Sequence, residues 1–431
     1  MFVLKGGEKM AEINTRKRGN KWEYRFEAAK IDGKRKQISK GGFKTKKEAL
    51  EAGTKALAKY NNSGLKFEPS EISVADYFDY WFDVYCKVNL KYNTQIGYLR
   101  IIEGHVKPNF GPFKLKALNA SVLQEYANNL KLHGYSKSTV TNILAVIQTA
   151  LDYAVEPLQF IEHNPMRLVK YPKITKPKKE RIILTLEEFQ QIIDRFKDTR
   201  FFVPLMIGFF TGVRIGECCA LTWDDINFET KTISINNQLV KRNFGNDVRK
   251  VFKLTGKKEQ KSSWYFADPK TPSSVRTIKI GETLLEILKN ERKKQLENEL
   301  TYGEFYTIYL KKKEYDEKGN EIYRLMPVSK CVESTLPRAE LVCVAENGEI
   351  TSPDSFKYCS RIIHGELRLA FDFHSLRHTH ATILIENGAK EKSVQARLGH
   401  QNIQTTLQNY VHDTETMAQE SVDIFEDFVH Q

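Results

Sequence analysis

Residues 21–28, Lys-Trp-Glu-Tyr-Arg-Phe-Glu-Ala, alternate strictly between apolar and charged positions. Trp22, Tyr24, Phe26 and Ala28 fall on one face and Lys21, Glu23, Arg25 and Glu27 on the other, the period-two pattern of a half-buried strand. Asp32-Gly33 reads as a hairpin turn and Lys34 to Lys40 as the returning strand. From Lys46 to Asn61 the period changes to that of a helix, with Ala49, Leu50, Gly53, Ala56, Leu57 and Tyr60 facing inward. Residues 1–66 therefore read as a small sheet packed on one helix.

A polar stretch, Asn61-Asn62-Ser63-Gly64 and then Pro69-Ser70, marks a linker. Over residues 67–175 the pattern is helical throughout. Tyr77, Trp81 and Tyr85 share one face, Thr94 to Val106 follows, and then come helices over Val122–Leu132 and Ser138–Val155, a bundle of about four. Tyr171 to Lys179 mixes prolines with lysines and reads as a second linker. Residues 176–431 mix both periods. A capping box at Thr185–Glu188 opens a helix, Gly212 closes an apolar one, Thr232–Ile235 and Trp264–Ile280 read as strands, and Asn347-Gly348 as a turn. The highly charged residues 286–325, with Lys311-Lys312-Lys313, read as a helix followed by an insertion that extends over 300–349. The predicted class is a multidomain α+β protein: a small basic β-sheet-plus-helix domain, an all-helical bundle, and a mixed α/β domain.

Composition narrows the partners. No run of 18 apolar residues occurs, so no membrane span is expected, and MFVLKGGEKM is too poor in apolar residues for a secretion signal. The expected compartment is the cytoplasm. Six cysteines without a C-x-x-C pair (Cys86, Cys218, Cys219, Cys331, Cys343 and Cys359) read as small buried apolar residues rather than a zinc site. The net charge is +13, and residues 1–66 hold 18 Lys/Arg against 7 Asp/Glu, so +11 of it lies there. Such a charge attracts polyanions, nucleic acid above all. The cationic and aromatic residues expected to meet DNA are Arg16, Lys17, Arg18, Trp22, Tyr24, Arg25, Lys34, Arg35, Lys36 and Lys40, with Lys91 and Lys137 in the bundle.

Single chemical candidates are weak. Arg214, in Thr-Gly-Val-Arg-Ile-Gly-Glu, reads as an arginine at a helix start bonding Glu217. His374 and His378 are one helical turn apart, but Ser375 stands where a zinc hydrolase needs glutamate, so no metal site is expected. In combination the residues say more. In chain order come Arg214, Lys270 within Ala-Asp-Pro-Lys-Thr-Pro-Ser-Ser-Val-Arg, His374-x-x-Arg377, Leu-Gly-His400, and Tyr410 ten residues later. This set resembles the active site of the tyrosine recombinases, the phage integrase family. The three-domain order is similar to that of conjugative-transposon and lambda-like integrases.

The resemblance implies a site-specific recombinase that needs no metal, ATP or other cofactor. Tyr410 is then the nucleophile that forms a 3′-phosphotyrosine, and Arg214 and Arg377 hold the non-bridging phosphate oxygens. Lys270 protonates the leaving 5′ oxygen, His374 helps move the tyrosine proton, His400 hydrogen-bonds the phosphate, and Glu217 orients Arg214 or the strand beside it. It further implies that residues 1–66 bind arm sites on double-stranded DNA and residues 67–175 the core site. The acidic, amphipathic tail after Asp413 becomes a helix swapped between subunits of a tetramer on DNA. An excisionase or DNA-bending accessory protein and a nucleoid location also belong to this expectation. Two rival readings are a type IB topoisomerase-like strand transferase and a catalytically silent DNA-binding regulator. The basic N-terminal domain and acidic tail weigh against the first, the intact six-residue set against the second.

Overall fold

The computed structural model describes residues 13–31, 34–61, 72–175, 181–243, 262–269, 272–316, 318–399 and 401. These divide into two compact units between Lys178 and Lys179.

In the first unit, strands β1 (Asn14–Arg18), β2 (Lys21–Ile31) and β3 (Lys34–Phe43) form an antiparallel sheet in that order, followed by helix α1 (Lys46–Asn61). Strand β1 escapes the period-two pattern because Asn-Thr-Arg-Lys-Arg has no apolar position. It exists through pairing, with Arg16 opposite Glu23 and Lys17 opposite Trp22. Tyr24 and Phe26 are buried beneath Ala52, Ala56 and Leu57 of α1, and Phe113 of the following helical segment packs on the same cluster. The Asp32-Gly33 turn lies outside the described residues.

That helical segment comprises α2 (Val74–Trp81), α3 (Tyr92–Ile101), α4 (Ala120–Leu132) and α5 (Lys137–Val155). Helices α2 and α3 each run on through a π turn, at Phe82–Cys86 and Ile102–Val106. Ser73, Asn119 and Ser136 cap α2, α4 and α5, each side chain accepting a backbone N–H of the first turn. Tyr77 and Trp81 face the core as the spacing predicts. Trp81 stacks on Tyr85 at 5.6 Å and on Tyr98 at 5.9 Å, and the Tyr77 hydroxyl donates to the Ala150 carbonyl.

The second unit begins with α6 (Leu186–Phe196), opened by Thr185 and Glu188, which satisfy each other's backbone N–H groups. Helix α7 (Phe202–Thr211) is apolar nearly all round and lies in the middle of the core, and short α8 (Ile215–Cys218) follows. One three-stranded sheet joins β4 (Ile226–Asn227), β5 (Thr232–Ile235) and β8 (Arg276–Lys279) in that order. Between β5 and β8 the chain makes β6 (Gln238–Asn243) and β7 (Ser262–Ala267), which belong to a second sheet. The stretch Trp264–Ile280, read as strands, therefore crosses from one sheet to another.

Helix α9 (Glu282–Tyr302) precedes β9 (Thr307–Tyr315), β10 (Glu321–Ser329) and β11 (Arg338–Ala339). These complete the second sheet in the order β11-β9-β10-β7-β6. The expected insertion is thus integral to the unit: Tyr309, Leu325 and Ala339 reach the main core alongside Phe266 of β7. Helices α10 (Phe356–Ile362), α11 (Phe373–Glu386) and α12 (Glu391–Leu398) close the described chain. Five cysteines are buried as expected, but Cys331 is exposed, placed just beyond the end of β10 where no core covers it. No helix among the described residues is long and apolar enough to cross a membrane.

Candidate active site

Gly212 ends α7 in the left-handed conformation, φ +64°, and turns the chain so that Arg214 stands at the start of α8. A Cβ at Gly212 would lie 2.8 Å from Leu398 Cδ2 and 2.9 Å from His380 Cδ2, so only glycine fits both the turn and the space. Arg214 Nη1 donates to Glu217 Oε1 at 2.7 Å, and the Arg214 backbone N–H to Glu217 Oε2 at 3.1 Å. The Glu217 side chain is 4% exposed and also receives Arg276 Nη2 at 3.0 Å. Burial pushes its carboxyl pKa up, but the Arg276 and Arg214 guanidiniums outweigh that and leave it below the ordinary value. The carboxylate is therefore an anion shared by two arginines.

Asp372 caps α11, its side chain accepting the Ser375 N–H at 2.9 Å, and this fixes the start of the helix that carries His374 and Arg377. Arg377 is only 1% exposed. Its Nη1 donates to the Gly212 carbonyl at 2.8 Å and its Nη2 to the Leu398 carbonyl at 2.7 Å, joining the turns after α7 and α12. The His374 pKa is lowered by burial first, then by the charges of Arg377 and Arg214, against a raising effect of Asp372. A neutral imidazole beside two guanidiniums can take up a proton. His378 packs edge-on against it, ring centroids 4.6 Å apart, its own pKa pushed down to about 4 by burial and by His374.

Three residues that the sequence reading left without a role tie these pieces together. Arg397 Nε donates to His380 Nε2 at 3.0 Å, Nη1 to the Lys279 carbonyl at 2.9 Å, and Nη2 to the Phe210 carbonyl at 3.0 Å. His380 meets the Phe209 carbonyl through Nδ1 at 2.8 Å, so the neutral ring donates at Nδ1 and accepts at Nε2. Burial and Arg397 push its pKa down to about 4, which agrees with that tautomer. Arg276 Nε donates to the Arg397 carbonyl at 2.7 Å and Nη1 to the Ser274 carbonyl at 2.9 Å. The sequence did hold a sign of the two arginines. Arg276 falls in register with Ile278 and Ile280, on the inward face of its strand, and Arg397 has no acid three or four residues away on its helix.

Of the expected catalytic set, Arg214, His374 and Arg377 come together at the junction of α7, α8 and α11. Lys270, His400, Tyr410 and the tail after Asp413 lie outside the described residues. Gly399, between Leu398 and His400, is described. Its φ is +68°, and a Cβ there would lie 2.9 Å from the Ser273 carbonyl oxygen. The turn that leads into His400 thus packs directly on the turn that follows Lys270.

The residues expected to meet DNA divide. On the sheet face away from α1, Arg16 pairs with Glu23, and Arg18 lies 3.9 Å from the same carboxylate. Both keep side chains more than half exposed, at 51% and 79%. Arg25 is half-buried on that face, and exposed Lys21, opposite Arg18, adds a cation there that the sequence pattern alone did not single out for DNA. Lys17, Lys40, Lys91 and Lys137 are exposed, and Trp22 is half-buried. Tyr24 is a correction: it is 6% exposed, in the core beneath α1, because its alternation partners Trp22 and Phe26 define the inward face. The backbones of Lys34, Arg35 and Lys36 lie in β3, and their side chains lie outside the description.

The family model described as "Phage integrase family" matches residues 182–417, more than half of the 431. The chain belongs to the phage integrase family. This integrase is a tyrosine recombinase, an enzyme that breaks and rejoins DNA strands at specific sites. Its residues 14–60 match an arm DNA-binding domain and residues 73–131 an N-terminal SAM-like domain of phage integrases. The integrase is 27% identical over 379 residues to a XerC-like tyrosine recombinase of Caldanaerobacter subterraneus subsp. tengcongensis, covering 86% of each chain. It is 23% identical to the ICEBs1 integrase of Bacillus subtilis, covering 89% of this chain and 91% of that one. Among solved structures it shares its fold with the Tn1549 transposon integrase in complex with circular intermediate DNA. The TM-score there is 0.58 at 20% identity, over 82% of this chain and 99% of the other. It also shares its fold with a lambda integrase tetramer bound to a Holliday junction, with a TM-score of 0.51 at 16% identity, over 92% and 97% of the two chains.

Proposed function

We propose that Tyr410 of this integrase attacks a phosphodiester of double-stranded DNA, forming a 3′-phosphotyrosine as the bond to the 5′ oxygen breaks. The phenol proton passes to neutral His374, and the Lys270 ammonium supplies the proton to the leaving 5′ oxygen. Attack by a 5′ hydroxyl of the partner strand reverses both transfers and reseals the DNA, so the bond energy is never lost and neither ATP nor a metal is drawn upon. Arg214 and Arg377 balance the charge that grows on the non-bridging oxygens, for which planar, permanently charged guanidiniums suit. His400 donates to the same phosphate, and Glu217 orients Arg214. The observation that carries this reading is the convergence of Arg214 with the His374 and Arg377 pair, far from it in sequence, around the turn that leads into His400.

Residues 1–66 bind arm sites through the open face of the sheet, residues 67–175 bind the core site, and residues 176–431 perform the chemistry. Four subunits assemble on two duplexes, with the tail after Asp413 passing between neighbours, and an excisionase or DNA-bending protein sets the direction. The reaction takes place on chromosomal DNA in the cytoplasm, at the nucleoid. Covalent trapping tests the core of this proposal. Nicked core-site duplexes incubated without divalent metal give a protein–DNA band on a denaturing gel with the wild type and none with Tyr410→Phe. A band that survives the substitution means another nucleophile. Relaxation of a supercoiled plasmid that lacks any core site would favour the topoisomerase-like activity instead.

A further inference from the structure

The proposed mechanism needs an acid on one turn, a phosphate ligand on another and an arginine on a third, and something has to hold the three in register. We propose that Arg276 is the positioning residue that does so, an inference that rests on the roles given above to Lys270 and His400. Its guanidinium is 7% exposed and lies at the meeting point of the three segments. Nη2 bonds Glu217, whose other oxygen holds Arg214. Nη1 bonds the carbonyl of Ser274, in the turn that follows Lys270. Nε bonds the carbonyl of Arg397, two residues before Gly399.

A second observation is independent of these hydrogen bonds. Gly399 approaches so closely that a Cβ there would lie 2.9 Å from the Ser273 carbonyl and 3.2 Å from Arg276 Cδ and Nη1. The Pro272–Ser274 turn and the Gly399 turn are therefore packed on each other beside the Arg276 side chain. Three N–H donors in one rigid plane suit this task. An ammonium can neutralise Glu217 but, as a compact point charge, cannot span three acceptors around a fixed fork. Arg276 itself touches no reacting atom. Its effect runs through Lys270 first, because only three residues separate Lys270 from Ser274.

The test is single-turnover formation of the covalent complex by wild type, Arg276→Lys and Lys270→Ala. Core-site duplexes carry either oxygen or sulfur at the bridging 5′ position of the scissile phosphate. A thiolate leaves without protonation, so sulfur removes the need for the acid. DNA binding and thermal melting are measured alongside. Arg276→Lys is expected to fold and to bind DNA within about twofold of wild type while cleaving the oxygen ester roughly 100-fold more slowly, the loss typical of an ångström-scale misplacement. Sulfur should restore it most of the way, as it should Lys270→Ala. The proposal is overturned if Arg276→Lys cleaves the oxygen ester at nearly the wild-type rate, or if sulfur rescues Lys270→Ala and leaves Arg276→Lys slow. If sulfur rescues neither, the lysine assignment falls and takes this inference with it. Arg276→Gln, which also removes the counter-charge of Glu217, should melt lower than Arg276→Lys yet show the same sulfur rescue in the folded fraction.

Discussion

His380 shows how a single buried ring ties the site to pH. Folded, it must be neutral, because Nε2 accepts from Arg397 while Nδ1 faces the Phe209 carbonyl. Its pKa falls from 6.5 to about 4, so the unfolded chain takes up a proton where the folded one does not. This contribution to stability is complete above pH 6.5, declines as the pH falls towards 4, and amounts at most to something on the order of 3 kcal/mol. Glu217 acts in the same direction at lower pH: its carboxyl pKa is depressed, so its contribution is lost as the pH falls through the folded value. Denaturant titrations from pH 7 to pH 4 should show stability falling, with a shallower fall in His380→Gln, whose side-chain oxygen can still accept from Arg397. Much at this scale was legible in the chain. Arg214 was legible as a partner of Glu217 at a helix start, and the His374-x-x-Arg377 pair through its resemblance to the family's site. His380, Arg276 and Arg397 were not, because their partners are mostly main-chain carbonyls brought in from elsewhere, and a carbonyl leaves no trace in the order of side chains.

Helix α11 works as a lever whose N-terminal end is pinned. Asp372 caps it and stands beside His374, whose pKa it raises. Asp372→Ala should therefore have two separable effects. The lost cap should cost about 1 kcal/mol in equilibrium unfolding. The missing negative charge should lower the His374 pKa further. If His374 takes the tyrosine proton, the acid limb of the cleavage pH–rate profile then moves to lower pH. Periodicity located α1, α4, α5 and α6 closely, because each has an apolar stripe or a side-chain cap that local sequence dictates. It placed β7 and β8 correctly as strands but said nothing of their relation, since alternation identifies a strand but not its sheet. The partners of β7 are β6 and β10, and the second arrives more than fifty residues later. Strand β1 was invisible for the complementary reason: it has no apolar face and depends on β2 for its shape.

For the molecule as a whole, charge and core are distributed unevenly. The N-terminal sheet concentrates cations, yet among the described residues its buried large side chains are chiefly Tyr24 and Phe26, and Phe113 of the helical segment packs on the same cluster. A variant beginning at Ile72 should still form the covalent complex on a core duplex, since no proposed catalytic residue is removed. Its binding to DNA carrying both site types should show a shallower dependence on salt, by about 0.9 in log–log slope for each phosphate that the missing sheet no longer neutralises. Electrophoretic mobility shifts at several salt concentrations would measure this, and thermal melting would report the uncovering of Phe113. The division into sheet, bundle and mixed catalytic segments followed from changes in period, but the docking of the 300–349 stretch onto the catalytic core did not, because its charged sequence masks scattered inward residues, Tyr309, Leu325 and Ala339 among them. One consequence concerns how such a site drifts over evolutionary time. Arg276, Arg377, Arg397 and His380 hold the site through carbonyls of Phe209, Phe210, Gly212, Ser274, Lys279, Arg397 and Leu398. Side chains at most of those seven positions can change without loosening the grip. Covariation between these gripping residues and the positions they hold should therefore be faint, while the grip itself outlasts the sequence around it.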